Sequence, residues 1–146
     1  MPSDTRYPAT TTAPAANLDL VLLIGRIALV LLFPISAYFK IIQWPGIVGT
    51  LTTQGAPLPM VGGMLAVAAE TIFPILIILG LQTRLAAFGL ILYTLGTSAI
   101  AHRFWEFTGG AQVGQIFSFF KNVAMCGGFL ILAWTGPGRH AVQPRP

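Results

Sequence analysis

The sequence has few charged residues. Only 8% of its 146 residues are charged, whereas 55% are hydrophobic. A soluble domain carries about a quarter charged residues, so this chain lacks the side chains that a water-facing surface needs. We therefore expect lipid to cover its exterior, and its length is enough for one domain.

Cysteine and histidine are also scarce. The single cysteine, Cys126, excludes an internal disulfide, a CxxC redox pair and a multi-cysteine metal site. The two histidines cannot hold a bis-histidine haem within the membrane, because His140 lies in the polar C-terminal part and only His102 remains. The net charge of +4 does not indicate nucleic-acid binding, since the basic residues are scattered and several lie within apolar runs.

Acidic residues are almost absent. The sequence contains only Asp4, Asp19, Glu70 and Glu106. They belong to no Ser/His/Asp or Cys/His arrangement, and neither a metal-ligand spacing nor a phosphate-binding glycine loop is present. We therefore expect no metal site and no catalysis by this chain alone, and the sequence identifies no catalytic residue.

Four long apolar runs predict four transmembrane helices, because one bilayer crossing takes about 20 apolar residues. They cover residues 18–42, 59–79, 85–101 and 116–134. The short connections predict that sequence neighbours pack antiparallel, so the predicted fold is an all-α membrane protein, a four-helix up-down bundle. This membrane domain, residues 18–136, follows a Pro/Thr/Ala-rich disordered tail at 1–17 and precedes a C-terminal tail at 137–146.

Four crossings place both termini on the same side of the membrane. The basic residues near that side are Arg6, Arg84, Arg139 and Arg145, and those near the other side are Lys40, Arg103 and Lys121. Because basic residues accumulate in short cytoplasmic segments, this count predicts cytoplasmic termini.

Two charges lie well inside the spans, Arg26 in the first and Glu70 in the second. A lone charge at the centre of a span costs at least about 2.5–3.5 kcal/mol on insertion scales. Counted along antiparallel helices, both residues lie roughly 12–14 Å from the terminus-side surface. Their common depth predicts a buried Arg26–Glu70 ion pair, which could serve only to fix helix register. The alternative is that Arg26 snorkels to the near surface.

Pro34 and Pro74 predict helix breaks inside the first two spans. A proline cannot donate to the carbonyl four residues back, so these two free the carbonyls of Val30 and Glu70. A freed carbonyl in a bilayer needs a donor, and Arg26 is a candidate because it carries five. The simpler interpretation is that proline is common in membrane helices.

A second polar group is predicted near the surface opposite the termini. Lys40 ends the first span, His102 ends the third, and Lys121 and Asn122 lie near the start of the fourth. Such donors would suit an anionic or carbonyl-bearing ligand, such as a quinone headgroup, and histidine can carry a proton at physiological pH. The alternative is that basic side chains at helix ends only snorkel to the surface.

Several segments of the sequence form a recognisable set. In chain order they are LLIGRIALVLLFPISAYFK, QGAPLP with Glu70 following, GLQTRLAA, YTLGTSAIAHRFWEF, FFKNVAMCGG and GPGR. In this order they resemble the DoxX family, and most of all its YphA-type inner-membrane branch. Together they cover roughly residues 20–140. The sequence departs from the family's pattern in its N-terminal tail and at His140 and Ala141, where relatives usually have Ser-Leu-Asp.

The resemblance implies a four-helix bundle in a bacterial inner membrane. The positions that mark the family fall here on Arg26, Lys40, Glu70, His102, Lys121 and Asn122. Family members are linked to membrane redox systems, including a subunit of a thiosulfate:quinone oxidoreductase and a complex that handles oxidative stress.

Three functions stay open at this point. By family analogy, the chain is an accessory or anchor subunit in quinone-linked redox or oxidative-stress chemistry, an oxidoreductase subunit with a redox partner protein and a quinone ligand. The second alternative is a membrane scaffold or assembly factor that requires no cofactor. The third is a proton-coupled transporter that works as a homo-oligomer, with Glu70 as its membrane acid. All three have the lipid bilayer as partner, and none has nucleic acid.

Overall fold

The computed structural model describes residues 15–143. Most of the predicted N-terminal tail and the last three residues of the predicted C-terminal tail therefore lie outside the described residues. The described part contains α-helices and one short 3₁₀ turn at Phe104–Glu106. The helices are α1 (Ala15–Val30), α2 (Leu32–Ile42), α3 (Trp44–Thr53), α4 (Pro59–Leu79), α5 (Thr83–Ala101) and α6 (Gly109–Thr135).

The predicted all-α fold with four membrane crossings is confirmed. No strand occurs within residues 15–143. The helical segments long and apolar enough to cross a bilayer are Asn17–Ile42, Pro59–Leu79, Thr83–Glu106 and Gly109–Thr135. Helices α1 and α2 together make the first crossing, and α4, α5 and α6 make the others. Consecutive crossings pack against each other, as short connections require.

The two prolines behave differently. Pro34 follows the junction of α1 and α2, and the helix is interrupted there at Leu31. An interruption shortly before the proline is expected, because a proline has no N–H to donate to the carbonyl four residues back. Pro74 lies inside the uninterrupted α4, so the predicted break of the second span is wrong. Its ring is buried in the bundle, and the hydrogen bonds on either side are enough to continue the helix.

Helix α3 lies between the first two predicted spans, where the sequence predicted only a short connection. Its hydroxyl side chains bond back within the helix, as Thr50 does to the carbonyl of Gly46 at 2.9 Å. None of its residues is buried, and it packs against α4. Trp44 lies so close to Gly63 that a Cβ there would come within 3.1 Å of the indole ring. The close approach at Gly63 holds α3 at the end of the bundle opposite the chain termini.

The fourth crossing is longer than predicted. Helix α6 begins at Gly109, whereas the sequence predicted a loop until residue 116. Its 27 residues span about 40 Å at 1.5 Å per residue. Lys121 therefore lies near the middle of a helix and not close to its start.

The core lies where α2, α4, α5 and α6 meet. Phe129, Ile77 and Leu90 are the largest fully buried side chains, and Ala86 and Ala87 let α5 approach its neighbours closely. The outer surface is also apolar: Trp134 is 85% exposed and Phe117 is 72% exposed. Large apolar side chains over the whole exterior fit a lipid environment and not water.

Candidate functional site

Glu70 accepts hydrogen bonds from several side chains in the middle of α4. The carboxylate is buried, with the residue 5% exposed. Lys40 Nζ donates to both carboxylate oxygens at 2.8 Å, and the Tyr93 hydroxyl donates to Oε1 at 2.7 Å. Ser36 Oγ lies 3.2 Å from the same oxygen and itself accepts from Lys40 at 2.6 Å. The result is a salt bridge joined to a hydroxyl network that links α2, α4 and α5.

The predicted Arg26–Glu70 ion pair is wrong, because Arg26 has other partners. Arg26 is 3% exposed, and its guanidinium donates to the carbonyl of Pro137 at 2.7 Å and to that of His140. It lies beside Gly80, just past the end of α4. Glu70 is ten positions before Gly80 in the chain, which puts it roughly 15 Å deeper in the bundle.

The error in depth has a physical cause at the terminus-side end. Helix α1 begins at Ala15, before the predicted residue 18, and residues 137–143 fold back over this end of the bundle. The backbone N–H of Val142 donates to the carbonyl of Leu79 at 2.9 Å, and that of Arg139 donates to Asp19 at 3.0 Å. The part of the predicted C-terminal tail that the structure describes is therefore packed on the membrane domain.

The predicted ligand cluster consists of Lys40, His102, Lys121 and Asn122, and each member has different contacts. Lys40 forms the salt bridge with Glu70 that is described above. His102 Nδ1 lies 2.8 Å from the side-chain oxygen of Gln115, and Asn122 donates to Ser98 Oγ at 2.8 Å. Lys121 has no hydrogen bond or salt bridge to any of residues 17–143.

All four predicted cluster residues line one cavity of about 1060 Å³. Its walls come from α2, α3, α4, α5 and α6, and Glu70 and Tyr93 lie on the same walls. Helix α3 and the segment after it form the side that faces the surface opposite the termini. Most of the lining is apolar, with side chains such as Leu65, Phe73 and Leu92. The cavity therefore combines an apolar wall with a small number of polar groups, as small-molecule sites do.

Other polar residues near the opposite surface do not belong to this cavity. Arg103 pairs with Glu106 at 2.9 Å, and the two side chains are 29% and 48% exposed. Among the described residues no group of three or more His, Cys, Asp or Glu side chains could hold a metal ion.

Sequence reasoning missed the contribution of α5 to this site. Tyr93 binds Glu70, and Thr94 and Thr97 line the cavity. Thr94 is 3% exposed, and its hydroxyl has no partner among the described residues. The signal was available, because Tyr93, Thr94, Thr97 and Ser98 repeat at spacings of three and four along an otherwise apolar helix. Ser36 and Lys40 have the same spacing on α2.

The bundle and its cavity define a class of small integral membrane proteins with polar residues gathered inside four crossings. The sequence model of the DoxX family matches residues 21–103. The chain belongs to the DoxX family.

Two curated relatives extend the similarity over most of the chain. Over 125 residues it is 44% identical to inner membrane protein YphA of Escherichia coli strain K12, covering 86% of this chain and 89% of the relative. Over 133 residues it is 32% identical to inner membrane protein YqjF of the same organism, covering 86% of this chain and 91% of the relative. No solved structure matches this chain.

Proposed function

We propose that this inner-membrane protein of the DoxX family is an accessory or anchor subunit that binds a quinone for a membrane redox system. The observation that carries the proposal is the cavity of about 1060 Å³, which lies within the crossings and has polar groups on apolar walls. A quinone has the matching chemistry, since its ring bears carbonyl oxygens and its tail is a long hydrocarbon. The tail would pack on the apolar walls and the carbonyls would accept hydrogen bonds.

Several donors are available to quinone carbonyls on the cavity walls. Asn122 uses one of its two amide N–H groups on Ser98, which leaves the other for a ligand. His102 lies on the wall with one ring nitrogen engaged by Gln115. A ligand carbonyl that accepts from such groups satisfies polar atoms that would otherwise be left unpaired in a membrane protein.

Reduction of a quinone to a quinol takes up two electrons and two protons. We propose that the electrons come from a partner redox protein, because Cys126 is the single cysteine and cannot form an internal dithiol. The chain's contribution is then to bind and orient the quinone. The Tyr93 hydroxyl and the Glu70 carboxylate also lie on the cavity wall, where they are bonded to each other.

Filling the cavity tests this proposal. In Ala69→Phe a large side chain would occupy part of the cavity lining, whereas Ala124→Phe adds the same ring on an exposed position of α6 that does not line it. We expect quinone to copurify with the wild type and Ala124→Phe in mild detergent, and to be lost from Ala69→Phe. The measurement is mass spectrometry with absorbance of the lipid extract. Wild-type protein without quinone, or equal quinone in both variants, would refute the proposal.

A scaffold or assembly factor is the second candidate, and one observation favours it. Arg26 fastens the C-terminal segment, residues 137–143, across one end of the bundle, an arrangement that stabilises a fold without needing a ligand. If the Ala69→Phe variant, in which a ring fills part of the cavity, still supports the accumulation of its partner protein, that result would favour this function. A proton-coupled homo-oligomeric transporter has less support, since Glu70 is held in a salt bridge with Lys40.

We also propose that both termini are cytoplasmic. Lys40 and Lys121 line the cavity, so neither counts as a basic residue that flanks a span. Of the basic residues counted from the sequence at the end opposite the termini, this leaves Arg103. The excess of basic residues therefore lies on the terminus side, as the positive-inside rule requires of a cytoplasmic face. In a Cys126→Ala background, an impermeant thiol reagent added to whole cells should label Thr108→Cys and spare Gln143→Cys. The reverse labelling would overturn the orientation.

A further inference from the structure

The charges on the cavity walls do not balance. The lining contains Lys40, Glu70 and Lys121 as its charged side chains. Lys40 and Glu70 neutralise each other in a salt bridge of 2.8 Å. Lys121 is left as an unmatched cation, because the structure gives it no acceptor among residues 17–143. The cavity therefore has a positive charge that no described side chain compensates.

Lys121 is held at the cavity by the position of its helix. It lies near the middle of the 27-residue α6. Its neighbour Asn122 is fixed to Ser98 inside the bundle, which sets the rotation and depth of this part of α6. The side chain is accessible and lines the cavity, so a ligand there can reach its ammonium group.

We propose that the cavity binds its ligand as an anion, an amphiphile with an apolar tail whose acidic head pairs with Lys121. The proposal rests on the cavity being the ligand site proposed above, and it narrows the ligand to acidic forms. Chemically these are hydroxyquinones that ionise at neutral pH, or long-chain carboxylates from the lipid pool. A charged head gains a charge-assisted hydrogen bond from the ammonium, which is about twice as strong as a neutral one. A neutral head can also accept from the ammonium, but it lacks the Coulomb attraction between two opposite charges.

Matched ligand pairs test the proposal. The first pair is a 2-alkyl-1,4-naphthoquinone and its 3-hydroxy derivative with the same tail, and the second is a long-chain carboxylate and its methyl ester. Binding is measured on the full chain in detergent by calorimetry or tryptophan quenching. We expect the wild type to prefer the acidic member of a pair by about tenfold or more, the factor that corresponds to one good ionic interaction.

Variants of Lys121 test whether its charge causes the preference for the acidic ligand. Lys121→Met keeps the length of the side chain and should abolish the preference, because it should lower the affinity for the acidic member more than that for the neutral member. Lys121→Arg keeps the charge and should retain the preference. Arg84→Met is the matched control, because Arg84 is an exposed cation of α5 that does not line the cavity, and it should change nothing.

Each outcome separates this proposal from the proposed quinone function. Equal binding of acidic and neutral quinones, or a preference that survives in Lys121→Met, overturns the anionic ligand and leaves the quinone site standing. Binding of the carboxylate alone, dependent on Lys121, supports the anionic ligand and overturns the quinone function. Binding of no probe to the wild type overturns both.

Discussion

Lys40 of α2 and Glu70 of α4 form a salt bridge of 2.8 Å inside the membrane-crossing part of the protein. The Lys40 side chain is 21% exposed and that of Glu70 is 6% exposed, so water reaches this pair poorly. Tyr93 and Ser36 complete the bonding of the carboxylate. The pair joins the first two crossings at one depth, and it leaves the cavity with Lys121 as its unmatched charge.

Replacing one partner of this salt bridge should destabilise the protein more than replacing both partners. Lys40→Met or Glu70→Gln alone leaves a buried charge without a partner and should cost toward the lower end of about 3–5 kcal/mol, since Lys40 is partly exposed. The double variant should recover most of that loss. Thermal unfolding in detergent and accumulation in the membrane measure both effects.

The exposed pair Arg103–Glu106 supplies the control for this series. Arg103→Met and Glu106→Gln should each change stability by less than about 1 kcal/mol, because solvent screens exposed ion pairs. A double Lys40/Glu70 variant that is no more stable than either single variant would contradict the expectation.

Arg26 should determine whether the C-terminal segment stays attached. Arg26→Leu removes both donors to the carbonyls of Pro137 and His140, so residues 137–143 should detach from the bundle. Trypsin should then cleave after Arg139 at least several-fold faster in detergent. Asp19→Asn should have a smaller effect, because asparagine can still accept from the backbone N–H of Arg139.

The control for proteolysis is Arg103→Leu at the other end of the bundle. It should leave the rate of cleavage after Arg139 unchanged. If Arg26→Leu is cut no faster than the wild type, the segment is held by its backbone bonds to Leu79 and Gly80 alone.

Gly80 should tolerate no side chain at the α4–α5 turn. Its φ of +69° is in the left-handed region, which costs a residue with a Cβ about 1–2 kcal/mol. A Cβ there would also lie 2.9 Å from the Cα of Ala141, which is backbone and cannot easily move. Gly80→Ala should therefore lower the melting temperature clearly.

Gly127→Ala is the matched control for Gly80→Ala. Gly127 lies inside α6, and a Cβ there meets nothing within 4 Å. Alanine should be neutral or stabilise α6 by about 0.5–1 kcal/mol, because glycine is the poorer helix former. Equal melting temperatures for the two variants would show that the segment around Ala141 does not pack against Gly80 in the membrane.

Thr94→Val should separate stability from ligand binding. The hydroxyl of Thr94 is buried without a partner among the described residues, so its removal should leave the ligand-free protein as stable or more stable. Ligand affinity should stay unchanged, because less than 1 Å² of the hydroxyl oxygen is accessible and a ligand in the cavity does not reach it. Melting temperatures with and without the ligands proposed above measure both effects.

Thr83→Val controls for the loss of a buried hydroxyl as such. The Thr83 hydroxyl is also unpaired among the described residues, but it does not line the cavity. This variant should keep the wild-type affinity. A lower affinity in Thr94→Val than in Thr83→Val would show that the Thr94 hydroxyl does reach the ligand.

The sequence by itself determined the number of crossings and the class of fold. Apolar runs of about 20 residues leave few alternatives, since backbone groups in lipid must bond within a helix. The sequence also selected four of the residues that line the cavity, because Lys40, His102, Lys121 and Asn122 are polar where lipid disfavours polarity.

Only the tertiary structure decided which of these charges are partners. The prediction for Arg26 and Glu70 compared depths counted from assumed helix ends, and one helical position changes the depth by about 1.5 Å. The early start of α1, the helical α3 and the returning residues 137–143 moved those ends. Partners in a bundle depend on the relative register and rotation of separate helices. Contacts between residues distant in the chain set that register, and no local pattern along one helix contains it.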